Sequence, residues 1–189
     1  MAAAKQCDGT SVGVILCDEY QRFAIFDRGT APAGAAWVAG HIDQHGSSEQ
    51  AAVQESWEEL GVRVRATELV KIGQFWRLNH CRRTPYTRPQ DGAIGHRWTL
   101  FQANIRSTVL SPSDREARNA RWVGTSEIQS LTNRTIAWAR GEISNEAFAA
   151  CPGVEPVWIS LAMSAGIVRV DAGDLAVVEQ RLNDTLHLG

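Results

Sequence analysis

Residues 40–62 read GHIDQHGSSEQAAVQESWEELGV and crowd three glutamates into the closing turn of the strongest helical pattern in the chain. Ser47 with Gln50 three positions later has the form of a capping box, and Gly61 supplies the stop. Val53, Trp57 and Leu60 recur at helical spacing and predict the buried stripe. Glu55, Glu58 and Glu59 then span about 100° of helical arc and project from one face, opposite or beside that stripe. Two carboxylates about 5–6 Å apart repel by roughly 3 kcal/mol at an effective dielectric near 20. The helix dipole adds about 0.3–1 kcal/mol against each anion in a last turn. A helix built only for stability would carry lysine or arginine there. A bound hard cation reverses both signs, and carboxylate oxygens suit Mg²⁺ or Mn²⁺.

Strand patterns surround this helix. SVGVILC (11–17) and RFAIF (22–26) read as an antiparallel hairpin, and WVAGHI (37–42) as a short strand running into the helix. Further strands are expected in VRVRATELVKIGQFWRL, in HRWTLFQANI (96–105) and in ARWVG (120–124). The last leads into a helix near SEIQSLTNRTIAWARGE. Between the first two of these strands lies NHCRRTPYTRPQDGAIG, too rich in Pro, Gly and Arg to be regular. EPVWISLAMSAGIV predicts a buried helix, and DAGDLAVVEQRLNDTLHL an amphipathic one capped by Asp171. Strands interleaved with one central helix and closed by terminal helices give an α/β domain over 11–150. Residues 1–10 are expected to be a frayed, disordered end, and 151–189 a helical extension packed on the same domain.

At 189 residues and 44% hydrophobic content the chain can bury one sizeable core. Its net charge of −2 argues against wrapping a nucleic-acid polymer. Cys7, Cys17, Cys81 and Cys151 are scattered, with no C-x-x-C pair, and read as reduced intracellular thiols instead of a disulfide frame or a zinc site. With no signal-peptide pattern and no apolar run of membrane length, the expectation is a soluble, cytoplasmic protein with no membrane partner.

Residues 40–62 resemble the Nudix box, the signature of the Nudix hydrolase superfamily. Gly40, Glu55, Glu58, Glu59, Gly61 and Val62 stand at its positions, and Trp37-Val38-Ala39 resembles its lead-in. Gly46 and Gln54 depart from it, standing where the family has a glutamate and an arginine that brace the loop and helix. Glu49 lies about 120° around the helix from Glu55 and does not replace the first. The resemblance implies an α/β/α sandwich with a mixed sheet and, here, a C-terminal helical extension. It implies metal-dependent hydrolysis of a phosphoanhydride in a small-molecule nucleoside diphosphate derivative, of nucleotide or nucleotide-sugar type. On that basis Glu58 and Glu59 are the principal ligands of Mg²⁺ or Mn²⁺. Glu55 is a third ligand or the general base, and the Gly40 carbonyl is a further ligand. Glu116, in a loop before a strand, matches a glutamate that is the base in some members. The altered Gly46 and Gln54 support a rival reading, a Nudix-fold nucleotide-binding or regulatory module with weak or no turnover. An isoprenyl-diphosphate isomerase of the same fold would use a cysteine before the box helix, whereas Cys81 follows it.

Arg77, Arg82, Arg83, Arg88 and Arg97 face a single acid, Asp91, across 77–97, and guanidinium groups pair bidentately with phosphate. Arg77 and Arg97 are preferred as substrate contacts because they fall at predicted strand ends. Trp76, Trp98 and Trp122 lie on strands that would line a cleft, where an indole can stack on a base or pack in the core. Cys81, beside His80, reads as structural. His41, His45 and His96 are candidates to touch a phosphate or base, and the C-terminal helices can cover the cleft or form a homodimer interface.

Overall fold

The structure is a computed structural model that describes residues 7–29, 33–42, 45–78, 81, 95–106, 109–112 and 117–186. Arg82, Arg83, Arg88, Asp91, His80 and Glu116 lie outside the described residues. Strands β1 (Thr10–Cys17), β2 (Phe23–Arg28), β3 (Ala35–Ala36) and β4 (Val38–His41) precede helix α1 (Ser48–Leu60). A 3-10 turn (Ala66–Glu68), β5 (Leu69–Leu78), β6 (Gly95–Asn104) and β7 (Ala117–Val123) follow. Helices α2 (Thr125–Ala139), α3 (Asn145–Ala150), α4 (Pro156–Ser164) and α5 (Ala172–Leu186) close the chain. No helix among the described residues is long and apolar enough to cross a membrane.

The strands form one mixed sheet in the order β3-β2-β1-β6-β5, with β4 added on β1 and β7 on β2. β1 runs parallel to β6 from Thr10↔Arg97 to Cys17↔Asn104 and antiparallel to β4 from Ser11↔His41 to Val14↔Val38. Its continuous apolar run suits a strand covered on both faces, and every residue from Ser11 to Cys17 is buried. The expected hairpin of β1 and β2 is corrected in extent: the two are antiparallel but pair only at Cys17↔Phe23. β2 turns away to pair with β3 and β7, leaving Ser11–Val14 of β1 to pair with β4.

Two glycines identify the layers. An added Cβ on Gly40 would fall 1.7 Å from the Glu55 carboxylate of α1, and one on Gly13 would fall 2.9 Å from the Trp158 ring of α4. Gly40 lies opposite Val12 and Gly13 opposite Ala39, so the two positions face opposite sides of the pleated sheet. Helix α1 therefore covers one face and α4 the other, with α5 packed on α4, α2 and β5. The result is an α/β/α sandwich with a mixed sheet. Trp158 is 1% exposed and packs against Trp37 and Trp98, with ring centroids 5.2 and 5.8 Å apart. Helix α4 is thus part of the central core, with Val157, Ile159, Leu161 and Ala162 also buried.

At the other end of the chain, residues 1–6 lie outside the described residues, and Cys7–Thr10 are tied to the sheet. Cys7 is fully buried, and the Asp8 carboxylate accepts hydrogen bonds from the Thr10 amide and hydroxyl. Asp171 caps α5 as expected, accepting from the Asp174 amide.

Candidate functional site

Helix α1 begins at Ser47, whose side chain accepts from the Gln50 amide, and ends at Gly61 with φ of 66°. The left-handed conformation at Gly61 lets its N–H reach back to the carbonyls of the last turn. The buried face departs from the expected stripe. Ala51, Ala52, Ser56, Glu59 and Leu60 are buried, while Trp57 is 46% exposed with the Arg63 guanidinium 4.7 Å above its ring. The reason is close approach: two alanines and a serine let the helix axis sit near β1 and β4, where an indole would hold it off.

That approach seats the acids. Glu59 is 8% exposed, and its Oε2 accepts from the Ala39 amide at 2.9 Å. Glu55 is largely covered, its carboxylate lying in the space a side chain at position 40 would need. Glycine is required at position 40 for this reason, not for backbone torsion. His45 Nε2 stands 3.5 Å from Glu55 Oε1, adding a partner the sequence did not single out for that role. Glu58 is exposed, and its Oε1 accepts from the Gln54 side-chain amide one turn earlier. The three carboxylates thus run from buried to exposed, all hard oxygen donors, with Glu55 and Glu59 beside the same strand end. The donor set matches what Mg²⁺ or Mn²⁺ takes, and the glycine cradle leaves room for a carboxylate against backbone.

Gly46 adopts φ of 84°, a left-handed conformation that any side chain would strain. It turns the chain into the Ser47 cap. The departure from the box at this position has a local backbone reason.

The substrate candidates divide between the two faces. Trp76 pairs with Arg97 across β5 and β6, and Arg97 with Thr10 of β1. This row adjoins the row Gly40, Val12, Thr99 and Gln74. Pleating places Trp76, Arg97 and Gln74 on the α1 face, about 10–15 Å across the sheet from Gly40 at roughly 4.8 Å per strand. Arg97 and Trp76 are both exposed there. His41, His96 and Arg77 lie on the opposite face. Arg77 donates to Ser160 Oγ of α4 at 2.6 Å and to the Trp76 carbonyl at 2.8 Å, with its guanidinium over Phe75. Burial pulls its pKa below the usual guanidinium value, opposed by Glu179. Trp98 is a core residue against Trp158, and Trp122 packs half-buried on the core.

A cavity of ≈ 950 Å³ opens beside the C-terminal end of α1, between Asp18, Trp57, Arg63 and Arg106. None of the three glutamates lines it. Its lining carries the acids Asp18, Glu19 and Glu68 alongside Arg63, Arg65 and Arg106, with Asp18 paired to Arg22 and Glu68 to Arg65.

A family model of the NUDIX domain matches residues 8–144. A search of curated proteins gave no match. Among solved structures the chain is similar to the NUDIX domain of Shewanella oneidensis NrtR complexed with ADP ribose. There the TM-score is 0.55 at 11% identity, over 88% of this chain and 91% of that one. It is similar to the E. coli dihydroneopterin triphosphate pyrophosphohydrolase with a TM-score of 0.50 at 14% identity, over 93% and 95% of the two chains. It is also similar to the MutT protein from Methanosarcina mazei, with a TM-score of 0.50 at 16% identity over 67% and 83%. At these identities the structures speak for the fold. The domain model, which spans most of the chain and contains the whole glycine-bracketed helix, decides the family: this chain belongs to the Nudix family.

Proposed function

We propose that this protein is a Mg²⁺- or Mn²⁺-dependent pyrophosphohydrolase that cleaves a phosphoanhydride bond in a nucleoside diphosphate derivative, of nucleotide or nucleotide-sugar type. The observation that carries this reading is the seating of Glu55 on Gly40 with Glu59 anchored to the Ala39 amide. A solvated acidic face would have neither. When bound, the divalent ion supplies charge neutralisation at the diphosphate and lowers the pKa of a water.

The chain's own residues do the rest. Glu58 and Glu59, with the Gly40 carbonyl, would hold the ion. The Ala39 N–H fixes one Glu59 oxygen and so orients the other. Glu55, with His45 beside it, would serve as a third donor or as the carboxylate that takes the water's proton. Arg97 and Trp76, on the same face, are the groups for a phosphate and a base plane. The ADP ribose held by the NUDIX domain of NrtR is a nucleoside diphosphate joined to a further group, and belongs to the class proposed here.

The test is turnover on a panel of nucleoside diphosphate compounds with Mg²⁺ and Mn²⁺, with products identified, for wild type and Glu59→Gln. The amide oxygen of glutamine still accepts from Ala39, so the variant keeps its fold while losing a charged donor. A loss of at least about 100-fold is expected. Unchanged turnover would remove Glu59 from the metal site. Wild-type protein that binds nucleotide under Mn²⁺ without releasing product would be a regulatory module of the same fold.

A further inference from the structure

Four residues far apart in sequence meet on the face of the sheet opposite α1. Cys7 Sγ lies 3.1 Å from His96 Nε2 and 3.8 Å from His41 Nε2, and His41 Nε2 lies 3.4 Å from Cys81 Sγ. The four donor atoms all fall within 4.8 Å of one another. We propose that Cys7, His41, Cys81 and His96 form a tetrahedral Zn²⁺ site, separate from the acidic site on α1.

Spacing is the first support. With Zn–S near 2.3 Å and Zn–N near 2.0–2.1 Å, a tetrahedron sets neighbouring donor atoms about 3.3–3.8 Å apart. The sulfur–nitrogen separations of 3.1, 3.4 and 3.8 Å scatter around the roughly 3.5 Å that such a pair takes in that shell. Donor chemistry is the second. Two thiolates and two imidazoles are the Cys₂His₂ set of structural zinc and a poor set for Mg²⁺, which takes oxygen. Two thiolate charges also cancel the ion's, so a site half-enclosed by the core gains no net charge.

The surroundings supply a third support. His96 Nδ1 is 2.7 Å from Ser11 Oγ, and both residues are buried. Donation from Nδ1–H to that hydroxyl leaves the Nε2 lone pair free toward Cys7 Sγ, the outer-shell arrangement that fixes a metal-binding tautomer. The Gly9 amide donates to Cys7 Sγ at 3.4 Å, a backbone contact that orients the sulfur. His41 and His96 meet edge to face with centroids 5.0 Å apart, so their rings converge without stacking.

The ion would join four segments: the stretch before β1, the end of β4, the exit of β5 and the start of β6. His41 follows Gly40, and alternation on β4 turns Gly40 toward α1 and His41 toward the zinc. The site therefore fixes from behind the strand end against which Glu55 and Glu59 are seated. Its role is structural, since all four positions of the ion are filled by protein.

The experiment is metal analysis of the full chain purified under reducing conditions without chelator, by inductively coupled plasma mass spectrometry. Wild type and Glu59→Gln should each carry about one zinc per chain, and Cys7→Ser/Cys81→Ser almost none. As a control against misfolding of the double variant, wild type stripped by chelator is also titrated with Co²⁺. Saturation at one ion, with the intense visible bands and thiolate charge-transfer absorption of a tetrahedral sulfur site, is expected, and Zn²⁺ should displace it. The half-buried Cys81→Ser alone, checked by circular dichroism, should lose the charge-transfer band in large part. Zinc-free wild type with no such cobalt spectrum would overturn the proposal. So would zinc retained in both cysteine variants, or a Cys7–Cys81 disulfide in freshly purified protein. Turnover is not the readout, so loss of the hydrolase reading would leave this site standing.

Discussion

Gln54 and Gly46 show how a single position can leave a family pattern without emptying it. Gln54 holds Glu58 through a neutral hydrogen bond one turn away, where an arginine would add charge. Gln54→Arg is expected to preserve or raise turnover, with a helix-pair gain of about 0.3–0.5 kcal/mol in chemical denaturation. A clear fall in turnover would mean that the glutamine has a task of its own. That the three glutamates share one face was legible from spacing, because helical geometry fixes which side chains share an arc, whereas Gly40 and the metal-binding reading came from the resemblance to the Nudix box. Trp57 was not. Its hydropathy places it inside, but only the distance between helix and sheet shows that alanines and a buried carboxylate occupy that face.

Among the elements, the turn from β1 to β2 shows what separates two strands that sequence reads as one hairpin. Asp18 is 1% exposed, accepts from the Tyr20 and Arg22 amides, and pairs with the Arg22 guanidinium at 2.7 Å. Burial pushes its pKa up, but the Arg22 amide and guanidinium outweigh that and hold it below the ordinary aspartate value. A depressed folded pKa means that the stability Asp18 contributes is fully present above its unfolded pKa, near 3.9, and is lost as pH falls through the folded one. Asp18→Asn should cost about 1–3 kcal/mol at neutral pH. Below about pH 4 the gap between variant and wild type should narrow. Denaturant midpoints measured across that range check both parts, and a gap that stays constant with pH would show that the charge is not what matters. β1 and β2 were readable as strands from their apolar, β-branched runs. Their separation was not, since it depends on β4, β6 and β7 arriving from elsewhere.

At the scale of the molecule, the helices after residue 144 lie beyond the span of the domain model yet fill one face of the sheet. Trp158 sits over Gly13, whose missing side chain gives the ring its place. Trp158→Ala should lower stability by about 3–5 kcal/mol in denaturant unfolding. A loss below about 1 kcal/mol would mean that α4 is dispensable to the core. The same helix takes Arg77, whose guanidinium bonds Ser160. Sequence put Arg77 and Arg97 together because both end strands. The pleat separates them, because the register Trp76↔Arg97 and Arg77↔His96 sends them to opposite faces.

By itself the sequence determined what is local. The capped helix, its acidic last turn, the glycine that precedes it and the order of strands all follow from spacing along one chain. The tertiary structure decided everything that depends on which distant segments become neighbours. It chose the glutamate to bury, sent Arg77 and Arg97 to opposite faces, and brought the donor atoms of Cys7, His41, Cys81 and His96 within 4.8 Å of one another. Spacing in sequence fixes direction within a helix or strand, but proximity between elements is set by packing, which no local pattern encodes.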